Sequence, residues 1–478
     1  MGGCDAAADV AGIAYDGVDA IRKVIHMLTG RLRAVMDGTV PGGVAAGTTA
    51  VGLAYGRVGL TVELPADCTT VITPASHPAV PDEVETLRLA LRNPVAGPPL
   101  RSLVRPGQSI SISICDVTRP QPRETMVRAI LDELDGITRT EDITLLVATG
   151  THRPCTDDEI RDMLGGELAG SLRVVNHDAR DAATLRWCGY HGDGVPVWLN
   201  TLWVSADVRI TTGFVEPHFF AGFSGGPKMV APGLAGLETV LALHDAKRIG
   251  SPRATWGICV GNPVHDDVRS IAVATGVDFS LDVALNRDKD IVAAFAGELL
   301  PMHAAARDFV RVSAMRPVSG LFDVVVTTNS GYPLDQNLYQ AVKGMSAAAE
   351  VVKPGGLIIC AAECADGFPD HGSFRKVLAS APTPAELLAS IAARTRTVPD
   401  QWQVQVLARV LNRARVGAHT ATLSDADLRS AHLLGVPDIA AAVDAELASV
   451  GPGARVCVLP EGPQTIPYLY ESAGDRHD

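Results

Sequence analysis

Hydrophobic positions along this chain fall into a repeating pattern: short β-type runs that stop abruptly at polar or glycine residues, each followed by helical spacing. QSISISICDVTRPQP contains a run from Ser109 to Cys115 that ends at Asp116, ahead of a helix from about Arg123 to Leu134. ITLLVATGTHRPCTDDEIRDML repeats the unit, with a strand ending near Ala148 and a helix starting after the cap Thr156. LRVVNH from Leu172, VRITTG from Val208, DVVVTTNSG from Asp323, LIICAA from Leu357 and RVCVLP from Arg455 predict further strands. Strands separated by helices predict an α/β fold with largely parallel sheets. Val51 to Leu64 alternates like a hairpin turning near Gly56. Val10 to Met36 has helical spacing, and the run PGGVAAGTTA after it reads as a linker.

A chain of 478 residues exceeds one ordinary core. The pattern divides it into a helical extension and linker (1–50), a first α/β domain (51–310), a second α/β domain (311–455) and a tail (456–478) expected to return to the first domain. The change of domain falls near residues 305–320, where AAARDFVRVSAMRPVSG leads into a fresh strand. Ligands in such folds sit beyond the carboxyl ends of the strands. Asp116, Thr118, Arg119, His152, His218 and Asn329 all follow a β run, which predicts an active site in the cleft between the two domains.

Composition narrows the partners. A formal net charge of −13 without an offsetting basic run argues against nucleic acid. Nine scattered cysteines without a C-x-x-C pair point to a reducing compartment and away from a thiolate zinc site. Asp5 and Asp9 precede any apolar run, and no stretch is apolar for long enough to span a bilayer, so a cytoplasmic protein with no membrane partner is expected.

The stretch GFVEPHFFAGFSGGPKMVAPGLAGLETVLALH, from Gly213 to His244, carries the most chemistry. Its glycines let a backbone approach a ligand, and its prolines prevent one continuous helix. Lys228 follows Gly-Gly-Pro without a nearby acidic partner, and a desolvated lysine is one route to an amine nucleophile. His218, between Pro217 and two phenylalanines, reads either as a buried structural histidine or as a cleft residue. His152 and His244 carry the same ambiguity, the latter on the helix after the loop. In DVTRP, Arg119 reads as an anion contact or as the surface arginine of an Asx-type turn. Tyr339, Gln340 and Lys343 sit at i, i+1 and i+4 of a helix, as a carboxylate-binding edge or a solvated face. GFSGGPK lacks the phosphate-loop spacing, VKPGGLIIC reads as a plain helix-to-strand turn, and no H-E-x-x-H occurs.

DVTRP, ATGTHRP, EPHFFAGFSGGPK, LALH and GYPLDQNLYQAVKG, in this order from about Val51 to about Tyr470, resemble the nickel-dependent lactate racemase family of 2-hydroxyacid racemases and epimerases. The resemblance implies a nickel-pincer nucleotide, pyridinium-3-thioamide-5-thiocarboxylic acid mononucleotide, bound covalently at Lys228, with His244 completing the nickel coordination. It implies His152 and His218 as paired acid/bases, and Asp116, Val117, Thr118 and Arg119 as a cofactor and substrate segment with Arg119 at the substrate. It also places Tyr339 at the cofactor and Gln340 and Lys343 at the active site. The implied partners are a small 2-hydroxy acid and the cofactor-synthesis enzymes. The implied reaction is reversible hydride transfer, which avoids removing a proton beside a carboxylate. Phe219 and Phe220 would form an apolar wall beside the substrate. The competing reading, an α/β nucleotide-binding or NAD-type dehydrogenase-like protein without racemase activity, calls for a G-x-G-x-x-G turn that the chain lacks.

Overall fold

In the computed structural model, residues 47–369 and 372–470 are described. The helix expected over Val10 to Met36 and the end of the tail lie outside them. The chain opens with an antiparallel hairpin, β1 (Thr48–Leu53) and β2 (Leu60–Pro65), followed by a short strand β3 (Thr69–Val71). Next come β4 (Ile110–Cys115), β5 (Ile143–Ala148) and β6 (Arg173–Asn176), then a hairpin of β7 (Leu185–His191) and β8 (Val195–Asn200). β9 (Val208–Phe214), the two-residue pair β10 (Pro217–His218) and β11 (Gly222–Phe223), and β12 (Phe279–Leu285) with β13 (Ile291–Gly297) complete the first half. Six of these strands form one sheet in the order β13-β12-β9-β4-β5-β6, parallel except for the β12–β13 edge.

β14 (Met315–Val318) leads into β15 (Phe322–Thr328), β16 (Val352–Ala361), β17 (Arg415–His419), β18 (Leu434–Gly435), β19 (Val456–Leu459) and β20 (Ile466–Leu469). The second sheet is parallel throughout, in the order β18-β17-β16-β15-β19-β3. Two expectations are corrected here. The tail does not return to the first domain, because β19 inserts beside β15 and β20 pairs with β14. The segment after residue 50 does not begin the first domain either. β3 forms the edge of the second sheet, and Val51, Leu53, Val62 and Leu64 of the hairpin cover its Val324, Val326 and Val458. Apolar alternation marked the hairpin correctly but carries no information on which sheet it caps.

Burial explains β4. ISISIC alternates as if one face met water, yet all six residues are buried. Its serines are satisfied by backbone carbonyls, Ser111 Oγ donating to Leu202 O at 3.0 Å and Ser113 Oγ to Met229 O at 2.9 Å. The helix Asp157–Ser171 starts at Thr156 with a full capping box to Glu159. Among the described residues no helix is long and apolar enough to cross a membrane, and Cys68, Cys115, Cys155, Cys188, Cys259, Cys360, Cys364 and Cys457 are free thiols.

The hairpin is therefore part of the second core. Leu64 is 1% exposed, and Leu64→Ala is expected to cost about 2–5 kcal/mol, read as a lower urea midpoint.

Candidate active site at the strand ends

Past β4 the chain turns tightly around Asp116, whose Oδ1 accepts from Thr118 N at 3.1 Å and from Thr118 Oγ1 at 2.6 Å. Arg119 NH1 donates to Thr118 Oγ1 at 3.1 Å, and Val117 is exposed. Behind the turn lies a residue that sequence reasoning missed. Arg123, buried at the first position of its helix, donates from Nε to Cys115 O at 2.8 Å and from NH2 to Arg119 O at 2.6 Å. A cation is unfavourable at a helix N-terminus. That misplacement was its only local signal, and here the guanidinium braces carbonyls of the turn.

β5 ends at Ala148, and the loop after it delivers His152, whose Nδ1 lies 2.6 Å from Asp116 Oδ2. Burial pushes the Asp116 carboxyl up, but the hydrogen bond and charge of His152, then Arg119 and Thr118, outweigh it and hold the group well below the usual carboxylate range. An ionised Asp116 can only accept, so His152 Nδ1 carries a proton and the neutral form of the ring has its free lone pair on Nε2.

β9 delivers Glu216 and His218. Ala221 N donates to His218 Nδ1 at 3.2 Å, so a neutral His218 holds its proton on Nε2. Phe220 lies at the centre of the site: its ring meets those of His218 and His244 edge-on, at 4.5 and 5.3 Å, and Lys228 Nζ lies 5.9 Å from its centroid. Phe219 packs toward Trp256 at 6.0 Å. Both phenylalanines are buried in the core shared with the second sheet.

Lys228 occupies a single 3-10 turn, Gly226–Met229, linked to the His152 loop through Gly233: Gly150 N donates to Gly233 O at 3.0 Å and Gly233 N to Lys228 O at 3.1 Å. The glycines expected to admit a ligand are crowded by protein instead. A Cβ on Gly222 would lie 2.2 Å from Ile258 O, and one on Gly226 would lie 2.5 Å from His303 Cγ. His244 follows the helix Leu237–Leu243 as its C-cap rather than lying within it, with Nδ1 2.7 Å from Val240 O. That carbonyl takes the Nδ1 proton and leaves Nε2 unprotonated.

The second sheet contributes the helix Leu338–Ala349, capped by Asn337. Lys343 Nζ donates to Gln340 Oε1 at 2.9 Å, while the Tyr339 hydroxyl accepts from Trp402 Nε1 at 3.2 Å. Trp402, on the helix Gln401–Arg413, also lies 4.8 Å from the His244 ring, and Gln405 of the same helix donates to Ala246 O at 2.8 Å. Sequence reasoning missed this helix, because nothing local marks a helix whose role is to join two distant site residues. Asn329 proves structural: Oδ1 accepts from Gly344 N at 3.1 Å, and Nδ2 binds Leu334 O.

Electrostatics ties these groups together. Burial lowers the Lys228 amine to about 7, with Arg119 and Lys343 repelling it and Glu216 partly opposing them. Burial and Arg119 bring Lys343 to about 8, again against Glu216. Burial, then Lys228, Lys343, Arg119 and His244, hold His218 well below its usual value. Burial brings His244 to about 4. Glu216, also missed in the sequence, is exposed to solvent yet backed by enough protein that desolvation raises its carboxyl overall, against the pull of Arg119, Lys343 and Lys228. The arrangement gathers Arg119, Lys228 and Lys343 near the carboxyls of Glu216 and Asp116, with His218 and His244 uncharged, and is suited to an anionic ligand that exchanges a proton.

The pocket fits the cofactor implied by the resemblance. Lys228 Nζ makes no hydrogen bond or ion pair among the described residues, and a lysine near 7 is substantially uncharged at neutral pH, as an amine forming a covalent bond must be. His244 presents one free ring nitrogen with its other fixed by a carbonyl, the arrangement common for imidazole metal ligands. Among the described residues no three His, Cys, Asp or Glu side chains converge on a metal position, so a metal at His244 would take its other donors from a bound group.

Comparison with known proteins gives the family. The family model for the lactate racemase N-terminal domain matches residues 55–257, and that for the C-terminal domain matches residues 319–466. Lactate racemase from Thermoanaerobacterium thermosaccharolyticum is 34% identical over 417 residues, covering 86% of this chain and 97% of that protein. The lactate racemase of Lactiplantibacillus plantarum is 37% identical over 383 residues, covering 80% and 90%. The solved structure of the T. thermosaccharolyticum lactate racemase apoprotein superposes with a TM-score of 0.82 at 33% identity, covering 88% of this chain and all of that one.

Two further histidines sit behind the Lys228 turn. Burial, then the Arg307 charge, lowers His265 to about 4 and His303 to about 3, so both are neutral when folded. The unfolded chain protonates them near pH 6.5. Their contribution to stability is therefore complete above about pH 6.5 and is lost as pH falls toward 4, at about 1.4 kcal/mol per pH unit for each. Unfolding free energies from urea titrations of the apoprotein should fall with pH across this range, His218 and His244 adding to the slope, and His303→Gln should make it shallower.

Proposed function

The chain belongs to the lactate racemase family, and from that premise we propose that it interconverts the enantiomers of lactate, or of a closely related 2-hydroxy acid, with a nickel-pincer nucleotide attached at Lys228 and His152 and His218 as acid and base. The observation that carries this reading is the anchoring of both rings at Nδ1, His152 on Asp116 Oδ2 and His218 on Ala221 N, while Nε2 of each makes no hydrogen bond among the described residues. An enzyme that accepts either enantiomer needs two groups that can each take the hydroxyl proton and return it. An imidazole does so by cycling between its neutral and imidazolium forms.

The substrate carboxylate is assigned to Arg119 and Lys343, which come from different sheets and carry the positive charge of the cleft. Gln340 orients Lys343 through its 2.9 Å hydrogen bond. His152 Nε2 accepts the hydroxyl proton while Asp116 stabilises the imidazolium that forms, and His218 is the acid/base for the hydroxyl of the opposite enantiomer. Lys228 and His244 would hold the cofactor, with Asp116, Val117, Thr118 and Tyr339 beside it. When bound, the nickel-pincer nucleotide supplies the reversible acceptor for the α-hydride, so the α-carbon can become planar without a carbanion beside the carboxylate. Phe219 and Phe220 exclude water beneath the reacting atoms. We place the reaction in the cytoplasm, where free thiols such as Cys188 stay reduced.

The test is coexpression with the cofactor-synthesis enzymes, followed by intact mass, metal analysis and chiral assay of L-lactate. The expected result is a covalent adduct on Lys228, stoichiometric nickel and equilibration with D-lactate; a nickel-free, unmodified chain under those conditions would sink the proposal. Lys228→Ala should abolish the adduct, and His244→Ala should lower nickel content. His152→Ala or His218→Ala should reduce kcat by about 10²- to 10⁴-fold while leaving the adduct in place.

A further inference from the structure

The turn that carries Lys228 has no cap of its own. Its N-cap is Gly225, which has no side chain to accept the first free backbone N–H. The acceptor comes from elsewhere in the fold: Asp282 Oδ2, on β12, takes Gly226 N at 2.7 Å across 56 residues of sequence. Asp282 is 0% exposed between the equally buried Leu281 and Val283, and its Oδ1 has no partner among the described residues. A carboxyl buried with one hydrogen bond is costly, and the strand would be more stable with an apolar residue there. The backbone makes room for it. A Cβ on Gly225 would lie 2.6 Å from Oδ2 and one on Gly213 2.9 Å from Oδ1, and Gly225 has a φ of +72° that favours glycine. His303 closes the other side, with Nε2 donating to Ser224 O at 2.8 Å.

We infer that Asp282 is a positioning residue, an N-cap supplied by a neighbouring strand that holds the Lys228 turn so that its amine stays among Arg119, Lys343 and Glu216. Without it the turn loosens and the amine swings toward water, where it regains ordinary basicity. The inference rests on the reading of Lys228 as the attachment amine, but its test needs no cofactor.

The test is the reactivity of Lys228 in the full chain produced without the cofactor-synthesis enzymes. Brief pulses of acetic anhydride at a series of pH values, read by peptide mass, compare Lys228 with Lys247, whose side chain is 84% exposed. Wild-type Lys228 should reach half-maximal labelling near pH 7. Asp282→Ala should raise that midpoint by about one pH unit or more and lower labelling at pH 7 by about tenfold relative to Lys247. Asp282→Asn, which keeps an oxygen acceptor, should stay within about twofold of wild type. Wild-type labelling in Asp282→Ala, or a loss in Asp282→Asn as large as in Asp282→Ala, would overturn the inference. Should Asp282→Ala fail to melt cooperatively, Asp282→Ser, whose oxygen stops a bond short, replaces it with the same two outcomes. A wild-type chain that labels near pH 7 yet gains no adduct on coexpression refutes attachment at Lys228 while supporting this placement of the amine.

Discussion

Holding Arg119, Lys228 and Lys343 together beside the uncharged rings of His218 and His244, in half-buried surroundings, is the constraint on which the other features of the site depend. Two like charges about 6 Å apart at an effective dielectric constant of about 20 repel by about 3 kcal/mol, and desolvation adds to that. A protein can relieve such a cluster by shedding protons, by placing a carboxylate nearby, or by binding an anion. This one does the first two in part: Lys228 falls to about 7 and Lys343 to about 8, with Glu216 opposing both shifts. The repulsion that remains favours an anion such as a carboxylate or phosphate, whose binding removes it. The cost of holding like charges together is thus converted into selectivity for a charged ligand.

Such a cluster stays in place only if its members cannot relax apart, and the fold supplies a separate brace for each. Arg123 holds the turn of Asp116 and Arg119 through its carbonyls. Asp282 and His303 grip the segment around Lys228. Gln403 and Trp402, on one helix, hold Tyr339 by its backbone carbonyl and its hydroxyl, while Gln405 secures the segment that follows His244. The braces are buried polar groups joined to distant backbone, so each contributes geometry at some expense in stability. The shared core of Phe219, Phe220, Trp256, Leu338 and Trp402 fixes the distance across the cleft.

This division between the charged cluster and its braces explains what the sequence revealed. Strand ends were legible, because a β run that stops at Asp116, Ala148 or Phe214 is a local pattern. So were the motifs around Arg119, His152, His218, Lys228 and Lys343, and the structure brings the cations and His218 into one electrostatic cluster. Asp282, Trp402 and Glu216 were not legible. Each matters through partners far away in sequence, and an aspartate within FSLDVAL reads as an ordinary polar interruption. The placement of β3 and the hairpin failed for a related reason: periodicity assigns a face to be buried but not the sheet that buries it. The glycines misled in the opposite direction, since crowding by Ile258 and His303 accounts for them without any ligand.

The two histidines differ in kind as well as in proton placement. His152 leans on an ionised carboxylate and has a partly exposed ring, so its protonated form is stabilised the moment it arises. His218 is surrounded by cations and has no such partner, so a proton arriving there meets repulsion. On the proposed reading the two rings sit in unlike electrostatic surroundings. Binding a carboxylate between Arg119 and Lys343 changes those of His218, because neutralising the two cations removes repulsion that holds its basicity down. The bound anion thereby helps His218 take up a proton, which a reaction open to either enantiomer requires of both rings.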